Sequence, residues 1–148
     1  MKYSCNVEIE APLKQVVALW KNEKHFAQWQ DGFKSMEHLQ GIPNTVGAKS
    51  RIKLNQGKRE IVLIETILEN NLPVEKSALY EHLHMSNTQT SRFEYIDDTH
   101  TRYISEVEYV KFNGFVPKLM SKLFPKLFKK QSQKWMNQFK VFAETSIK

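Results

Sequence analysis

The chain has 148 residues, of which 41% are apolar and 26% are charged, and its net charge is +6 at pH 7. This length fits one domain of ordinary globular composition, and no apolar run approaches the roughly 18 residues of a membrane span. The first residues, Met1–Asn6, lack the apolar segment of a signal peptide, and the single Cys5 cannot form an internal disulfide. We therefore expect one cytoplasmic domain covering residues 1–148.

The positive charge is concentrated near the C-terminal end. Residues 115–148 contain eight lysines and one acidic residue, so residues 1–114 carry a net charge of −1. Four of these lysines recur every four residues and form a predicted basic surface: Lys118, Lys122, Lys126 and Lys130. Such a stripe is typical of a solvated helix face, and it could also attract an anionic membrane surface or a protein. No nucleic-acid partner is expected.

The N-terminal part predicts one strand followed by two short helices. Residues 3–10 alternate apolar and polar side chains, as in a half-buried strand. A helical spacing of apolar residues follows in Leu13, Val16, Val17 and Trp20. Asn22 is a suitable cap for a second short helix that carries Phe26 and Trp29. Asp31-Gly32 is a turn signal.

Six strand patterns come next, separated by turn signals. The predicted strands are Phe33–Leu39, Lys49–Leu54, Glu60–Glu69, Ser77–Met85, Ser91–Tyr95 and Thr101–Phe112. Asn55–Lys58 has the composition of a hairpin turn, and the polar residues 86–89 predict a break between strands. Short connections of this kind predict antiparallel neighbours.

The last stretch predicts a long helix from Pro125 to Ile147, roughly 35 Å long at about 1.5 Å per residue. Its apolar stripe, continued towards the N-terminus, contains Met120, Phe124, Leu127, Phe128, Trp135, Phe139 and Phe142. A single sheet has one face to cover, and this is the only long apolar helix in the pattern. The sequence therefore predicts an α+β fold in which a seven-stranded antiparallel sheet curls around the C-terminal helix.

This order of elements resembles the START-like, or helix-grip, superfamily, which includes Bet v 1-like, polyketide cyclase/dehydrase-type and coenzyme Q-binding domains. The resemblance rests on the first strand running into Ala11-Pro12, the two short helices, Val46-Gly47 before a basic strand, Asn71-Leu72-Pro73 between central strands, and the closing helix. It implies a cavity between the sheet and the C-terminal helix that often binds an apolar ligand.

In such a fold a set of aromatic and polar residues is expected to line the cavity. The candidates are Trp20, Trp29, Tyr80, His82, His84, Phe93, Tyr95, Tyr103, Tyr109, Gln131, Trp135, Gln138, Phe139 and Phe142. Gln131 and Gln138 lie two helical turns apart within the apolar stripe, where an amide needs a hydrogen-bond partner. His82 and His84 are expected on one strand face with Tyr80. They lack a third metal ligand, so no metal is expected. No cofactor motif is present either.

Three functions fit these residues. The first is binding of a small apolar or amphipathic ligand, as a carrier or a sensor. The second is a cyclase- or dehydratase-like enzyme in which His82, His84 or a cavity tyrosine moves protons. The third is a module that docks to a membrane or protein through its lysines. The residues favour the first, because no set of side chains marks an acid/base couple.

Overall fold

The structure is a computed structural model that describes residues 1–112 and 125–147. Its elements are β1 (Lys2–Ile9), α1 (Leu13–Lys21), α2 (Phe26–Trp29), β2 (Phe33–Gln40), β3 (Lys49–Gln56), β4 (Arg59–Asn71), β5 (Glu75–Glu81), β6 (Met85–Asp97), β7 (His100–Phe112) and α3 (Pro125–Ile147). A 3₁₀ turn, Glu23–His25, precedes α2, and the Asn22 side chain caps it by accepting from the Lys24 N–H. None of the described helices is long and apolar enough to cross a membrane.

The seven strands form one antiparallel sheet in the order β1-β7-β6-β5-β4-β3-β2. Every strand therefore pairs with its neighbour in sequence, except that β1 closes against β7. The predicted fold class is confirmed: an antiparallel sheet of seven strands, two short helices after the first strand, and a long C-terminal helix. Register irregularities interrupt the pairing of β2 with β3, of β4 with β5 and of β6 with β7. Irregularities of this kind bend a sheet, which suits one that curves around a helix.

Three predicted strand boundaries are wrong. The predicted strand Ser77–Met85 ends at Glu81, because the His82 N–H donates to the Met85 carbonyl at 2.9 Å and closes a tight turn. The expected break at residues 86–89 is instead the start of β6. Likewise, β3 continues to Gln56, so the hairpin turn is shortened to Gly57-Lys58.

Helix α3 lies along the edge strand β1. The Tyr3 hydroxyl hydrogen-bonds with the Ser132 hydroxyl at 2.7 Å. Two further bonds reach the β1 backbone: Gln133 Nε2 donates to Asn6 O at 3.1 Å, and Lys140 Nζ donates to Glu8 O at 2.7 Å. These contacts hold the helix against one side of the sheet, so it leaves the inner face of the central strands uncovered.

The core lies where β1 and β7 meet α1, α2 and α3. Its buried members are Cys5, Ile9, Ala11, Val16, Val17, Trp29, Phe93, Tyr103, Met136, Phe139 and Ala143. Thr101 is fully buried beside this core, and its hydroxyl donates to the Ala11 carbonyl at 2.8 Å. The buried hydroxyl therefore has a hydrogen-bond partner in the loop before α1.

The described part of α3 matches its predicted bounds. Four predicted residues of the stretch before it, Met120 and Phe124 of the apolar stripe and Lys118 and Lys122 of the basic surface, lie outside the described residues. Lys126 and Lys130 are exposed. Leu127, predicted in the apolar stripe, is 54% exposed.

Candidate functional site

A cavity of about 1880 Å³ lies between the inner face of strands β3 to β7 and helices α2 and α3. Ligand pockets usually measure roughly 300–1000 Å³. This one is larger because it widens to the surface, where exposed residues such as Lys126 and Lys134 line it. It arises because α3 follows β1 and not the middle of the sheet.

Ten of the fourteen residues that the sequence suggested as cavity candidates line this space. They are Trp20, Trp29, Tyr80, His82, Tyr103, Tyr109, Gln131, Trp135, Gln138 and Phe142. They come from α1, α2, β5, β7, α3 and the β5–β6 turn, so the fold brings distant parts of the chain together at one site.

The other four candidates lie elsewhere. Phe93 and Phe139 are in the close-packed core, at 4% and 0% exposure. Tyr95 is 62% exposed near the β6–β7 turn, where its hydroxyl donates to Asp98 Oδ1 at 2.6 Å. His84 is exposed in the turn before β6, because the strand on which it was expected ends at Glu81. Its N–H donates to His82 Nδ1 at 3.3 Å.

A row of polar residues crosses the inner face of the sheet, one on each strand from β3 to β7. We call this row the polar ladder: Ser50, Glu65, Tyr80, Asn87 and Tyr109, each in register with the next. At about 4.8 Å between strands it spans roughly 19 Å. All but Ser50 line the cavity, and Ser50 shares a recess of about 100 Å³ with Glu65.

Apolar residues border the polar ladder on both sides. Ile52 and Leu63 pair on one side. Ile67 and Ala78 pair on the other, and that row continues through the polar Gln89 on β6 to Val107 on β7. On β3 and β4 the inner face therefore presents a polar position between apolar ones, whereas on β6 two consecutive inward positions, Asn87 and Gln89, are polar. This arrangement suits a ligand with an apolar body and hydrogen-bonding groups along it.

Glu65 and Tyr80 form the centre of the polar ladder. The Tyr80 hydroxyl donates to Glu65 Oε2 at 2.8 Å, and Glu65 is only 8% exposed. Burial raises the pKa of the Glu65 carboxyl from its ordinary value, and Tyr80 and Lys76 only partly oppose this effect. Burial, reinforced by the Glu65 charge, raises the pKa of Tyr80 well above its ordinary value. Tyr80 is therefore a neutral donor at physiological pH.

A second polar group lies on β7, where it meets α1. Trp20 Nε1 donates to the Tyr103 hydroxyl at 3.1 Å, and burial raises the pKa of Tyr103 to about 12. Two buried polar atoms of the cavity wall, Ser105 Oγ and Trp29 Nε1, have no hydrogen-bond partner among the described residues. Such atoms cost roughly 1–3 kcal/mol each unless a water or a ligand group satisfies them.

The turn Asp31-Gly32 joins the rim of the cavity to α3. Trp135 Nε1 donates to the Asp31 carbonyl at 2.9 Å, and Lys134 Nζ lies 2.9 Å from Asp31 Oδ2. Gln138 Oε1 accepts from the Asp31 N–H at 3.4 Å, so its amide meets backbone and not a strand side chain. Gly32 has a φ of +91°, and a Cβ there would collide with the Asn55 carbonyl oxygen. Glycine is therefore required at this junction.

At the opposite end of the cavity two tyrosines face α3. Burial raises the pKa of Tyr3 and of Tyr109, so both remain neutral hydroxyls. The Tyr109 ring packs on Phe128 with a centroid distance of 5.0 Å. Burial and the nearby His84 lower the pKa of His82.

Sequence reasoning missed Glu65, Asn87 and Ser105. A glutamate within a predicted strand could equally pair with a Lys or Arg across the sheet, so Glu65 did not stand out as a cavity residue. Its signal was available: it lies at the same strand parity as Ile61, Leu63 and Ile67, so it shares their inward face. Asn87 was hidden by the expected break at residues 86–89.

Comparisons with known proteins give the fold. No protein-family model matches the sequence, and no curated protein matches it either. Several solved structures do. The Zhui aromatase/cyclase from Streptomyces sp. R1128 aligns with a TM-score of 0.83 and 12% identity, over 100% of this chain and 96% of that one.

Two further solved structures share the fold over almost the whole chain. The Bet v 1 allergen Ara h 8.0201 has a TM-score of 0.74 and 9% identity, over 98% of each chain. A START superfamily protein from Mycobacterium smegmatis has a TM-score of 0.71 and 12% identity, over 95% of this chain and 98% of that one. At such identities the likeness concerns the fold, and the protein has the helix-grip fold shared by START and Bet v 1-like proteins.

Proposed function

We propose that the protein binds a small amphipathic molecule in the cavity under α3, as a carrier or a sensor. The observation that carries this proposal is the polar ladder, which apolar residues border on β3 and β4 within the same cavity. A sheet face meant for close packing would be apolar throughout, because buried polar atoms without partners destabilise a core. The unpartnered Ser105 and Trp29 atoms support the same conclusion, since a ligand group would satisfy them.

The test is binding of N-phenyl-1-naphthylamine, an uncharged fluorescent probe, to the wild-type protein and to two tryptophan variants. Leu63 lines the cavity, whereas its neighbour Val62 is 40% exposed on the other face of β4. We expect Leu63→Trp to weaken probe binding at least about tenfold because the indole occupies the cavity. Val62→Trp should leave binding unchanged. Absence of binding to the wild type, or equal effects of the two variants, would refute the proposal.

Native mass spectrometry of freshly purified protein provides an independent test. A co-purifying small molecule of defined mass, lost in the Leu63→Trp variant and retained in Val62→Trp, is the expected result. The same mass in both variants would point to adventitious surface binding and against the cavity.

A second candidate function is chemistry on the bound molecule, of the cyclase or dehydratase type. The Tyr80–Glu65 hydrogen bond favours it, because burial raises the pKa of the Glu65 carboxyl, and a carboxyl with a raised pKa is a better proton acceptor than an ordinary one. This pair is a better proton carrier here than His84, which lies outside the cavity. The similarity of the fold to that of an aromatase/cyclase is in line with this candidate.

A β-diketone such as 1-phenyl-1,3-butanedione tests that chemistry without knowledge of the substrate. The Glu65 carboxylate would remove the proton between the two carbonyl groups and leave an enolate and a protonated Glu65. Exchange of that proton in D₂O, followed by NMR, should be faster than the buffer background with wild type and not with Glu65→Gln. Equal rates with both proteins would exclude Glu65 as a base.

A further inference from the structure

Glu65 is the buried carboxyl of the cavity. It is more than nine-tenths buried, and the hydrogen bonds of the described residues give it one partner, the Tyr80 hydroxyl. No ion pair within 4.0 Å joins it to a Lys, Arg or His in the described ranges 1–112 and 125–147. A carboxylate in this position lacks the cation that normally accompanies a buried charge.

The nearest charged neighbours do not supply that cation. Lys76 also lines the cavity, but its ammonium is directed to Asn44 Oδ1 at 3.4 Å. Lys76 lowers the pKa of Glu65, while Glu23 from the 3₁₀ turn raises it, so the two effects oppose one another. Desolvation remains the largest influence, which is what an uncompensated buried carboxyl shows.

Tyr80 fixes the direction of the carboxylate. Its hydroxyl donates to Glu65 Oε2 at 2.8 Å, and both residues line the cavity. The Tyr80 oxygen retains lone pairs that can accept a further hydrogen bond. The next rung of the polar ladder, Asn87, adds an amide carbonyl in register with Tyr80. The centre of the polar ladder is thus rich in acceptors and carries negative charge, so it matches a donor with positive charge.

From this geometry we propose that Glu65 and Tyr80 form a subsite for a basic nitrogen, and that the cavity prefers amphipathic amines. The proposal rests on the proposed binding function and names the class of its ligand. A protonated amine would supply the missing cation and donate to Glu65 and Tyr80 together, in charge-assisted hydrogen bonds. A ligand carboxylate at the same place would meet the Glu65 charge and be rejected.

The lysines at the rim of the cavity favour an anionic ligand, whereas the Glu65 subsite favours a cationic one. The two therefore predict different ligand preferences, which can be measured. Lys126, Lys129 and Lys130 line the mouth of the cavity and would attract an anionic head group there. Exposed charges are screened within about 8–10 Å at physiological salt, whereas a buried carboxyl is screened much less. The subsite should therefore decide the preference if the head group reaches it.

Three ligands with the same body and different head groups distinguish these cases: 1-naphthalenemethylamine, 1-naphthalenemethanol and 1-naphthoate. Their affinities are measured by displacement of N-phenyl-1-naphthylamine at physiological salt. We expect the amine to bind best and the carboxylate worst. Glu65→Gln should weaken amine binding roughly tenfold or more, as expected for a lost charged hydrogen bond, and leave the alcohol within about twofold.

The matched control is Glu69→Gln, which removes an exposed carboxylate from the same strand and changes the net charge equally. Glu65→Asp keeps the carboxylate and should keep the order of the three ligands, even if Glu65→Gln folds poorly. Equal effects of Glu65→Gln and Glu69→Gln, or strongest binding of the carboxylate, would overturn the amine subsite while leaving the cavity function intact. Failure of every naphthyl ligand and of the probe to bind would overturn both.

Discussion

Phe139 and Trp135 lie four residues apart on the same stripe of α3, yet their removal should have different consequences. Phe139 is 0% exposed and packs edge-on against Trp29 and Tyr103, at centroid distances of 5.1 and 5.8 Å. Phe139→Ala would leave a void that close-packed neighbours cannot fill. We expect it to lower the free energy of unfolding by roughly 3–5 kcal/mol, as for other buried phenylalanines.

Trp135 borders space that already exists. It is half-buried, lines the cavity, and makes one hydrogen bond from Nε1 to the Asp31 carbonyl. Its truncation would enlarge the cavity instead of creating a new void. The loss is therefore one hydrogen bond and part of a ring's apolar burial, about 1–2 kcal/mol. Because the indole forms cavity wall, Trp135→Ala should also change the affinity for the fluorescent probe, whereas Phe139→Ala should not.

Urea unfolding followed by far-UV circular dichroism gives both free energies without relying on tryptophan fluorescence. Val141→Ala, at a residue that is 64% exposed on the same helix, is the control and should cost less than about 0.5 kcal/mol. If Trp135→Ala costs as much as Phe139→Ala and probe binding is unchanged, then Trp135 belongs to the close-packed core and does not form part of the cavity wall.

Two more predictions concern charge. Burial raises the pKa of Glu65 above its ordinary value of 4.5; Glu23 adds to this effect, whereas Tyr80 and Lys76 partly oppose it. The Glu65 carboxyl therefore holds its proton more tightly in the folded state than in the unfolded state. The free energy of unfolding should consequently fall as pH rises from about 4.5 through the raised pKa. Urea unfolding of wild type and Glu65→Gln between about pH 4 and 8 should show this slope in the difference between their free energies. An opposite slope would contradict the burial argument. Lys126 and Lys130 are exposed, and substitution of both by Glu should weaken association with anionic vesicles by at least about 2 kcal/mol at low salt. The measurement is cosedimentation, and the control is a variant in which the exposed Lys2 and Lys111 are both changed to Glu. Equal sedimentation of the two variants, or with neutral vesicles, would leave Lys126 and Lys130 as a solvated face.

The sequence predicted the order of elements because most of the sheet alternates regularly. β1 and β7 have clean apolar and polar alternation, and β7 was expected within one residue of its observed start. The prediction failed at β6, where the residues that line the cavity after Met85, namely Asn87, Gln89 and Ser91, are polar. A strand whose inner face is polar has no apolar period to detect. The feature that makes the cavity amphipathic is thus the same feature that concealed the strand.

The candidate site was less predictable than the fold, because it depends on register and on the position of one helix. Glu65 meets Tyr80 only in the observed pairing of β4 with β5, and a shift by one residue would turn either side chain outwards. Aromatic residues could be recognised as inward-facing, but not divided between core and cavity. Phe93 and Phe139 belong to the core because α3 follows β1, a contact made by Tyr3 and other residues that no periodicity marks.

The polarity of the polar ladder helps to explain why α3 packs along β1 and not over the central strands. Bonds from Gln133 and Lys140 to the β1 backbone hold the helix over the apolar half of the sheet, where Phe139 and Met136 are buried. If the helix moved over β4 and β5, its apolar stripe would cover the ladder and remove water from hydrogen-bonding groups without replacing it. At roughly 1–3 kcal/mol for each unsatisfied group, several such groups would outweigh the packing gained from one or two aromatic rings. Within the described ranges 1–112 and 125–147, the part of the sheet near β1 packs against the helices and stabilises the fold, whereas β3 to β5 contribute polar and apolar residues to the cavity.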